Sequence, residues 1–446
     1  MSSRPNIVVF LTDQQRWDTT GLHGCPLELT PNLDRIGRAG THFASSFTCQ
    51  PLCTPARATL QTGLYPTTAG PWRNGIPLPD DSKTLAHHFG AAGYETAYIG
   101  KWHLGDPAVR GPVEPRYRGG YDYWLAANAL EHTSDAYDTI VYDGTGARVR
   151  LPGYRVDALT DAAIRYLAVP REQPFYLFVS LLEPHHQNRR DDYPAPEGYA
   201  ERYRGAWTPP DLATLGGTAF RQLPGYYGMI KRIDEAYGRL LETLTSLGLR
   251  DDTIVLFTSD HGNHFKTRND EYKRSVHDAS IRVPTVATGG VFTGGGQLNQ
   301  LISHVDLPPT LLDAAGLPVP GEMQGRSVVP LLHDRGADWP DDVFVQVSES
   351  ETARAVRTQR WKYGVTAPDD APAAERYDEA YLYDLMADPD ELDNLIGYQS
   401  HGNVADRLRE RLVRRMTAAG EKEPAITLSP ERPSGQRLIH PEEALS

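Results

Sequence analysis

Four hydrophobic runs in this sequence end in ionisable residues. Asn6–Leu11 leads into Asp13 and Gln14, and Thr96–Ile99 into Lys101 and His103. Phe175–Leu182 leads into Glu183 and His185, and Thr253–Thr258 into Asp260 and His261. Carboxylates such as Asp13 and Asp260 suit a hard divalent cation, to which Gln14 would add a carbonyl oxygen and His261 a nitrogen. That mixed donor set does not select one metal, and with no Cys-x-x-Cys pair and no His-Glu-x-x-His helix the sequence disfavours zinc. A fifth segment, Leu52-Cys-Thr-Pro-Ala-Arg57 running on to Gly63, reads as a helix, with Pro55 in its first turn and Gly63 just past its end. Cys53 then stands at the positive end of a helix dipole, where thiolates and anionic substrates are favoured, and Arg57 lies one turn on.

Something has to bring these groups together. The four runs are near-continuous, of strand length and rich in β-branched and aromatic residues, the pattern of parallel strands buried on both faces. In an open α/β sheet ligands bind beyond the carboxyl ends of such strands, so the four polar endings fall on one rim. Helical periodicity lies between the runs. It spans Tyr226 to Leu247 before Gly248, Val156 to Ala168 before Pro170, and Asp306 to Ala315 before Gly316. The alternation predicts an α/β fold, a large mostly parallel central sheet sandwiched by helices, over residues 1–340. After Asp341 the pattern changes. Val343–Val347, Ala353–Thr358 and Trp361–Val365 read as closely spaced strands, with Gln359-Arg360 as a tight connection and a helix over Val404–Ala418. This predicts a smaller antiparallel-sheet subdomain over 341–420, and 421–446 reads as a wrapping or loose tail.

Composition bounds the partners. The chain has 446 residues, 45 Lys and Arg against 58 Asp and Glu, and a formal net charge of −13. That balance speaks against nonspecific nucleic-acid and anionic-membrane binding. An apolar fraction of 39% with 23% charged residues is enough to build a core. Three cysteines, Cys25, Cys49 and Cys53, are too few for a disulfide framework and leave at least one free thiol. No apolar run approaches a membrane span, and five apolar residues near the start are too few for a signal-peptide core. The expectation is a cytoplasmic protein without membrane attachment.

The Cys-x-Pro-x-Arg segment followed by Thr62-Gly63 resembles the signature of type I sulfatases, in the alkaline phosphatase superfamily. Further blocks match in order: Arg4–Val8, Gly100–Gly105, Thr258–Gly262, Arg282–Pro284, Asp306–Leu312, and Leu382–Pro389 with Glu391 and Asn394-Leu395. The resemblance covers residues 4 to about 396 and implies the alkaline phosphatase-like fold. It implies that Cys53 is oxidised to Cα-formylglycine by a separate generating enzyme, a transient partner. The hydrated aldehyde would offer one hydroxyl to attack sulfur and a second to collapse and expel sulfate.

The same resemblance places the metal ligands at Asp13, Gln14, Asp260 and His261, with Ca2+ as the family expectation and Mg2+ or Mn2+ open. Many sulfatases carry Asp where Gln14 stands, so one negative charge is missing. Arg57 matches the residue that stabilises the hydrate, Lys101 and His103 flank it, and His103 is the expected base for sulfate elimination. His185 and Lys273 match sulfate-binding residues, and either could protonate the leaving oxygen. Arg274 and His277 lie near Lys273 in sequence. Read from the residues alone, Glu131–Asp135 with His132, and Asn263–Asn269 with His264 and Arg268, are candidate recognition loops. With Trp102 their polarity would suit a sulfated sugar. Cys25 and Cys49 read as structural thiols. Three functions follow: a sulfatase acting on a sulfated mono- or oligosaccharide; a phosphonate monoester or phosphodiester hydrolase, suggested by Asp13-Gln14; and a noncatalytic anion-binding protein with Cys53 unconverted.

Overall fold

A computed structural model describes residues 4–368, 370–433 and 439–445. In chain order the strands of its larger sheet are β1 (Asn6–Thr12), β2 (Thr41–Phe47), β3 (Glu95–Lys101), β4 (Tyr123–Ala127), β5 (Thr139–Asp143), β6 (Arg148–Leu151), β7 (Phe175–Ser180), β8 (Thr253–Ser259), β9 (Val286–Thr288) and β10 (Gly296–Ser303). They are ordered β10-β2-β9-β8-β1-β7-β3-β4-β5-β6. β1 runs parallel to both β7 and β8, and β3 runs parallel to β7 and β4. The short β9 lies antiparallel between β8 and β2, and β5 and β6 close one edge as an antiparallel hairpin.

The double-faced burial expected of these strands is seen residue by residue. Successive side chains of a strand point to opposite faces. Ile7, Val9 and Leu11 join Tyr98, Tyr176, Phe178 and Leu256 on one face, under helices Cys53–Thr62, Leu85–Ala91 and Leu307–Ala314. Val8 and Phe10 join Ile99, Val179 and Phe257 on the other, under helices Pro31–Ala39, Arg155–Leu167 and Ala219–Ser246. The last of these starts seven residues before the predicted Tyr226. Pro224 hides that start in the sequence, because a proline in a helix interior reads as a break. Its missing N–H falls early in the helix, beside Phe220, which is 94% exposed.

The smaller sheet is ordered β11 (Asp342–Val347), β12 (Thr352–Thr358), β13 (Trp361–Ala367), β14 (Arg376–Asp384) and β15 (Ala425–Thr427), antiparallel except for the β14–β15 pair. Helix Gly402–Ala418 covers it with Val404, Leu408, Leu412 and Met416, which pack against Trp361, Tyr363 and Val365. Of the tail expected over 421–446, residues 434–438 and 446 lie outside the described set. The remainder supplies β15, and the Glu443 carbonyl accepts a hydrogen bond from Trp361 Nε1 at 3.0 Å. Among the described residues no helix is long and apolar enough to cross a membrane.

A buried ionic cluster joins the two sheets. Lys362 Nζ, on β13, lies 2.6 Å from Asp278 Oδ1 and 2.5 Å from Glu391 Oε1, and Arg357 Nη2 is 3.2 Å from Asp278 Oδ2. Glu391 Oε2 accepts the Asp278 backbone N–H at 2.6 Å. Removing one partner from such a cluster leaves the others buried and uncompensated. Lys362→Met is therefore expected to cost about 3–5 kcal/mol of stability. Urea unfolding checks this, and a loss below about 1 kcal/mol would contradict it.

Candidate active site

The carboxyl ends of β1, β3 and β8 meet the N-terminus of helix Cys53–Thr62, which Gly63 ends in the left-handed region at φ 71°. The Thr54 backbone N–H, one of the open donors of that first turn, bonds Asn74 Oδ1 at 3.1 Å. Cys53 Sγ lies 3.6 Å from both carboxylate oxygens of Asp13, 3.4 Å from His261 Nε2, 3.0 Å from Lys273 Nζ and 3.6 Å from Lys101 Nζ. Arg57 binds one level deeper. Its Nη2 donates to Asp13 Oδ2 at 3.0 Å and lies 3.2 Å from Asp260 Oδ2, while its Nη1 donates to the Lys101 carbonyl and to Ser180 Oγ. Lys101 Nζ also reaches Asp13 Oδ2 at 2.8 Å.

Electrostatics single out this thiol. Burial works against a thiolate, yet the Lys101 and Lys273 ammonium groups outweigh it and hold Cys53 well below the usual thiol range. Cys25 and Cys49 lack such neighbours, and burial pushes them up to about 11 and about 12. Burial raises Asp260, and the adjacent Asp13 carboxylate raises it further. Asp13 itself is held low despite burial, by Lys101, His185 and Lys273.

These residues fit a cation. Asp13, Cys53, Asp260 and His261 place one candidate ligand atom each within 4.8 Å of one another, all buried. His261 Nδ1 lies 2.9 Å from the Gly262 carbonyl and so carries the proton, which leaves the Nε2 lone pair facing Asp13 Oδ1 and Asp260 Oδ1, each at 3.5 Å. Three acceptors around one point repel one another unless a positive charge lies between them. Gln14, held at φ 71°, donates Nε2 to Tyr193 Oη at 3.2 Å, and its buried Oε1 has no hydrogen-bond partner among the described residues. An oxygen in that position is a ready fourth ligand for a hard ion.

A cavity of about 310 Å³ opens above Cys53, lined among others by His103, Glu131, His185, His186, Tyr272, Lys273 and Arg274. His185 Nδ1 donates to the His186 carbonyl at 2.7 Å, so its Nε2 is the nitrogen turned to Cys53. The rings of His185 and His186 stack with centroids 4.3 Å apart, and Tyr272 continues the wall at 4.4 Å from His186. Arg274 is anchored by Glu271 and by Glu349, whose other oxygen accepts the Asn74 backbone N–H at 2.9 Å. Asn74, His186, Tyr272 and Glu349 have no chemical signature in the sequence.

Five of the expected substrate contacts face elsewhere. Trp102 follows Lys101 in extended chain, so it points away from Cys53 into the core, packed against Tyr98, Tyr121 and Trp124. His264 is fully buried, and its ring lies off the cavity. Arg268 donates to the Asp390 and Glu391 carbonyls, and His277 Nε2 lies 3.2 Å from Tyr383 Oη, so both serve the contact with the smaller sheet. His132 lies behind Glu131, half-buried and outside the lining.

Together the fold and this rim define a hydrolase of anionic esters: an α/β sheet with a nucleophile position at a helix N-terminus, beside a cation cradle and two lysines. The sequence model of the Sulfatase family matches residues 5–317, and that of the N-sulphoglucosamine sulphohydrolase C-terminal region matches 270–418. An ulvan-active sulfatase of Formosa agariphila is 31% identical over 443 residues, spanning 94% of this chain and 82% of its own. An N-acetylglucosamine-6-O-sulfatase of Bacteroides thetaiotaomicron is 26% identical, spanning 92% of this chain and 86% of its own. A solved structure in complex with its substrate D-glucosamine-2-N,6-O-disulfate superimposes with a TM-score of 0.78 at 24% identity, over 95% of this chain and 99% of that one. The phosphonate monoester hydrolase of Agrobacterium radiobacter superimposes with a TM-score of 0.69 at 25% identity, over 93% and 96%. The chain belongs to the sulfatase family of the alkaline phosphatase superfamily and is a sulfuric ester hydrolase.

Proposed function

We propose that this enzyme hydrolyses a sulfate monoester on a mono- or oligosaccharide, with position 53 converted to formylglycine and a divalent cation, Ca2+ first among the candidates, held by Asp13, Gln14, Asp260 and His261. The observation that carries the reading is the convergence on Cys53 Sγ of Lys273, Lys101, Asp13 and His261 within 3.6 Å. The names of the ulvan-active and N-acetylglucosamine relatives support a carbohydrate substrate.

When present, the hydrated aldehyde supplies the attacking hydroxyl, and the cation lowers that hydroxyl's pKa and neutralises sulfate charge. The protein's own groups do the rest. Cys53 Sγ marks where the attacking oxygen stands, and Lys273 and Lys101 are placed to bind sulfate oxygens as charge develops on them. Arg57 holds Asp13 and Asp260 in place from below. His185, whose Nδ1 donates to the His186 carbonyl, presents Nε2 to the cavity; in its imidazolium form, favoured beside a bound sulfate anion, it passes the Nε2 proton to the leaving oxygen. An alkoxide of a sugar leaves poorly unprotonated, so this proton carries much of the rate. His103, at the cavity wall beside Glu131, is the base for release.

A second reading has its own observation. Gln14 gives the cradle one carboxylate fewer than an Asp-Asp pair would, and the phosphonate monoester hydrolase shares the fold. Matched sulfate, phosphonate and phosphodiester substrates separate the two. The sulfatase reading expects sulfated saccharides to be turned over with the highest kcat/KM, and a preference for phosphodiesters by orders of magnitude would sink it.

A further inference from the structure

Glu131 is the carboxylate of this site that neither the metal cradle nor proton transfer uses. It sits on the short helix Leu130–Thr133 after β4, 4% exposed, and lines the cavity. Its Oε1 is 3.3 Å from Lys101 Nζ and 3.8 Å from His103 Nε2. Its Oε2 is buried and has no hydrogen-bond partner among the described residues, so its charge is not consumed by backbone donors there. Burying a carboxylate costs several kcal/mol, and a glutamine or leucine would fill the same space at lower cost. Burial opposes its ionisation, yet Lys101 and His103 hold it down at about 2, so it is charged at neutral pH.

The charges around Cys53 show what it does there. Arg57, Lys101 and Lys273 supply three cations; Asp13, Asp260 and Glu131 supply three carboxylates. The two aspartates belong to the cation cradle. Asp191 and Glu271 also line the cavity, but both are partly exposed and paired with Lys266 and Arg274, and Asp270 is exposed; Glu131 is the buried carboxylate that offsets the positive charge on the substrate side. A sulfate monoester carries one negative charge, whereas a phosphate monoester, with a second pKa near about 6, carries two at alkaline pH. A buried fixed negative charge penalises the second far more than the first.

We propose that Glu131 is a specificity-determining residue that tunes this cavity to monoanionic esters and against dianionic ones, acting through its charge beside Lys101. The inference rests on the anionic-ester reading of the site and adds to it the charge state of the substrate. The same charge disfavours the sulfate dianion and so assists product release.

The test compares wild type, Glu131→Gln and Glu131→Asp on p-nitrophenyl sulfate and p-nitrophenyl phosphate at pH 8, with inorganic sulfate as inhibitor. Glu131→Gln is expected to raise the phosphate-to-sulfate ratio of kcat/KM by about tenfold or more and to tighten sulfate inhibition by a similar factor. Glu131→Asp keeps the charge and is expected to keep the wild-type ratio. A Glu131→Gln enzyme with the wild-type ratio overturns the proposal, even if both rates fall together, since that is how a merely structural residue behaves. Should Glu131→Gln not fold, wild type decides: p-nitrophenyl phenylphosphonate, a monoanion, must be turned over faster than dianionic p-nitrophenyl phosphate, and the reverse order overturns the proposal. Absence of p-nitrophenyl sulfate turnover with a retained phosphonate preference would count against the sulfatase reading and leave the charge proposal standing.

Discussion

Cys53→Ala is expected to lower sulfate-ester turnover by about ten-thousandfold or more while the protein stays folded. The size follows from what the position does. Lys101, Lys273, Asp13 and His261 are aimed at one atom, and without it they have nothing to act on. Residues that work as a unit lose nearly all of their effect when the reacting one is removed. The fold should tolerate the change, because Cys53 contributes one small buried side chain to a helix whose other nine residues are also buried. Steady-state turnover and the thermal midpoint together check the prediction. Turnover near wild type would refute the mechanism.

The second large effect is expected at Asp260. Asp260→Asn should lower cation affinity by about a hundredfold or more and take turnover down with it. Asparagine keeps an acceptor for the Gln14 backbone N–H, which now bonds Asp260 Oδ1 at 3.1 Å, so the loop should hold. The sign of the stability change is also set. Burial and Asp13 raise Asp260's pKa, which means that its ionised form is costly when no cation is bound. A neutral side chain removes that cost, so metal-free Asp260→Asn should be at least as stable as metal-free wild type. Metal content by atomic emission, turnover and unfolding midpoints with and without chelator read all three. Full cation occupancy in the variant would contradict the ligand assignment.

The central sheet and its rim are legible in the sequence because one physical constraint writes both. A strand buried on both faces must be apolar throughout, so its end is marked by the first ionisable residue, as at Asp13, Lys101 and Asp260. The Cys53 helix is marked at both ends, by Pro55 and Gly63. The cavity wall is less legible. Arg268 and His277 turn toward the smaller sheet because of Asp390, Glu391 and Tyr383, more than a hundred residues away, and no local pattern records those partners. Trp102 is a different case: strand alternation from Lys101 already sends it to the core. Asn74 and Glu349 join the site as acceptors for backbone N–H groups, those of Thr54 and Asn74, which every residue type but proline carries.

In the proposed mechanism position 53 acts as an aldehyde and not as a thiol. Mass spectrometry of the Cys53 peptide, taken from protein purified active from its native host, tests it most directly. The expected result is a peptide lighter than the encoded cysteine form, trapped by carbonyl reagents, in proportion to the sulfate-ester turnover of the sample. A fully active sample in which residue 53 is entirely thiol would contradict it.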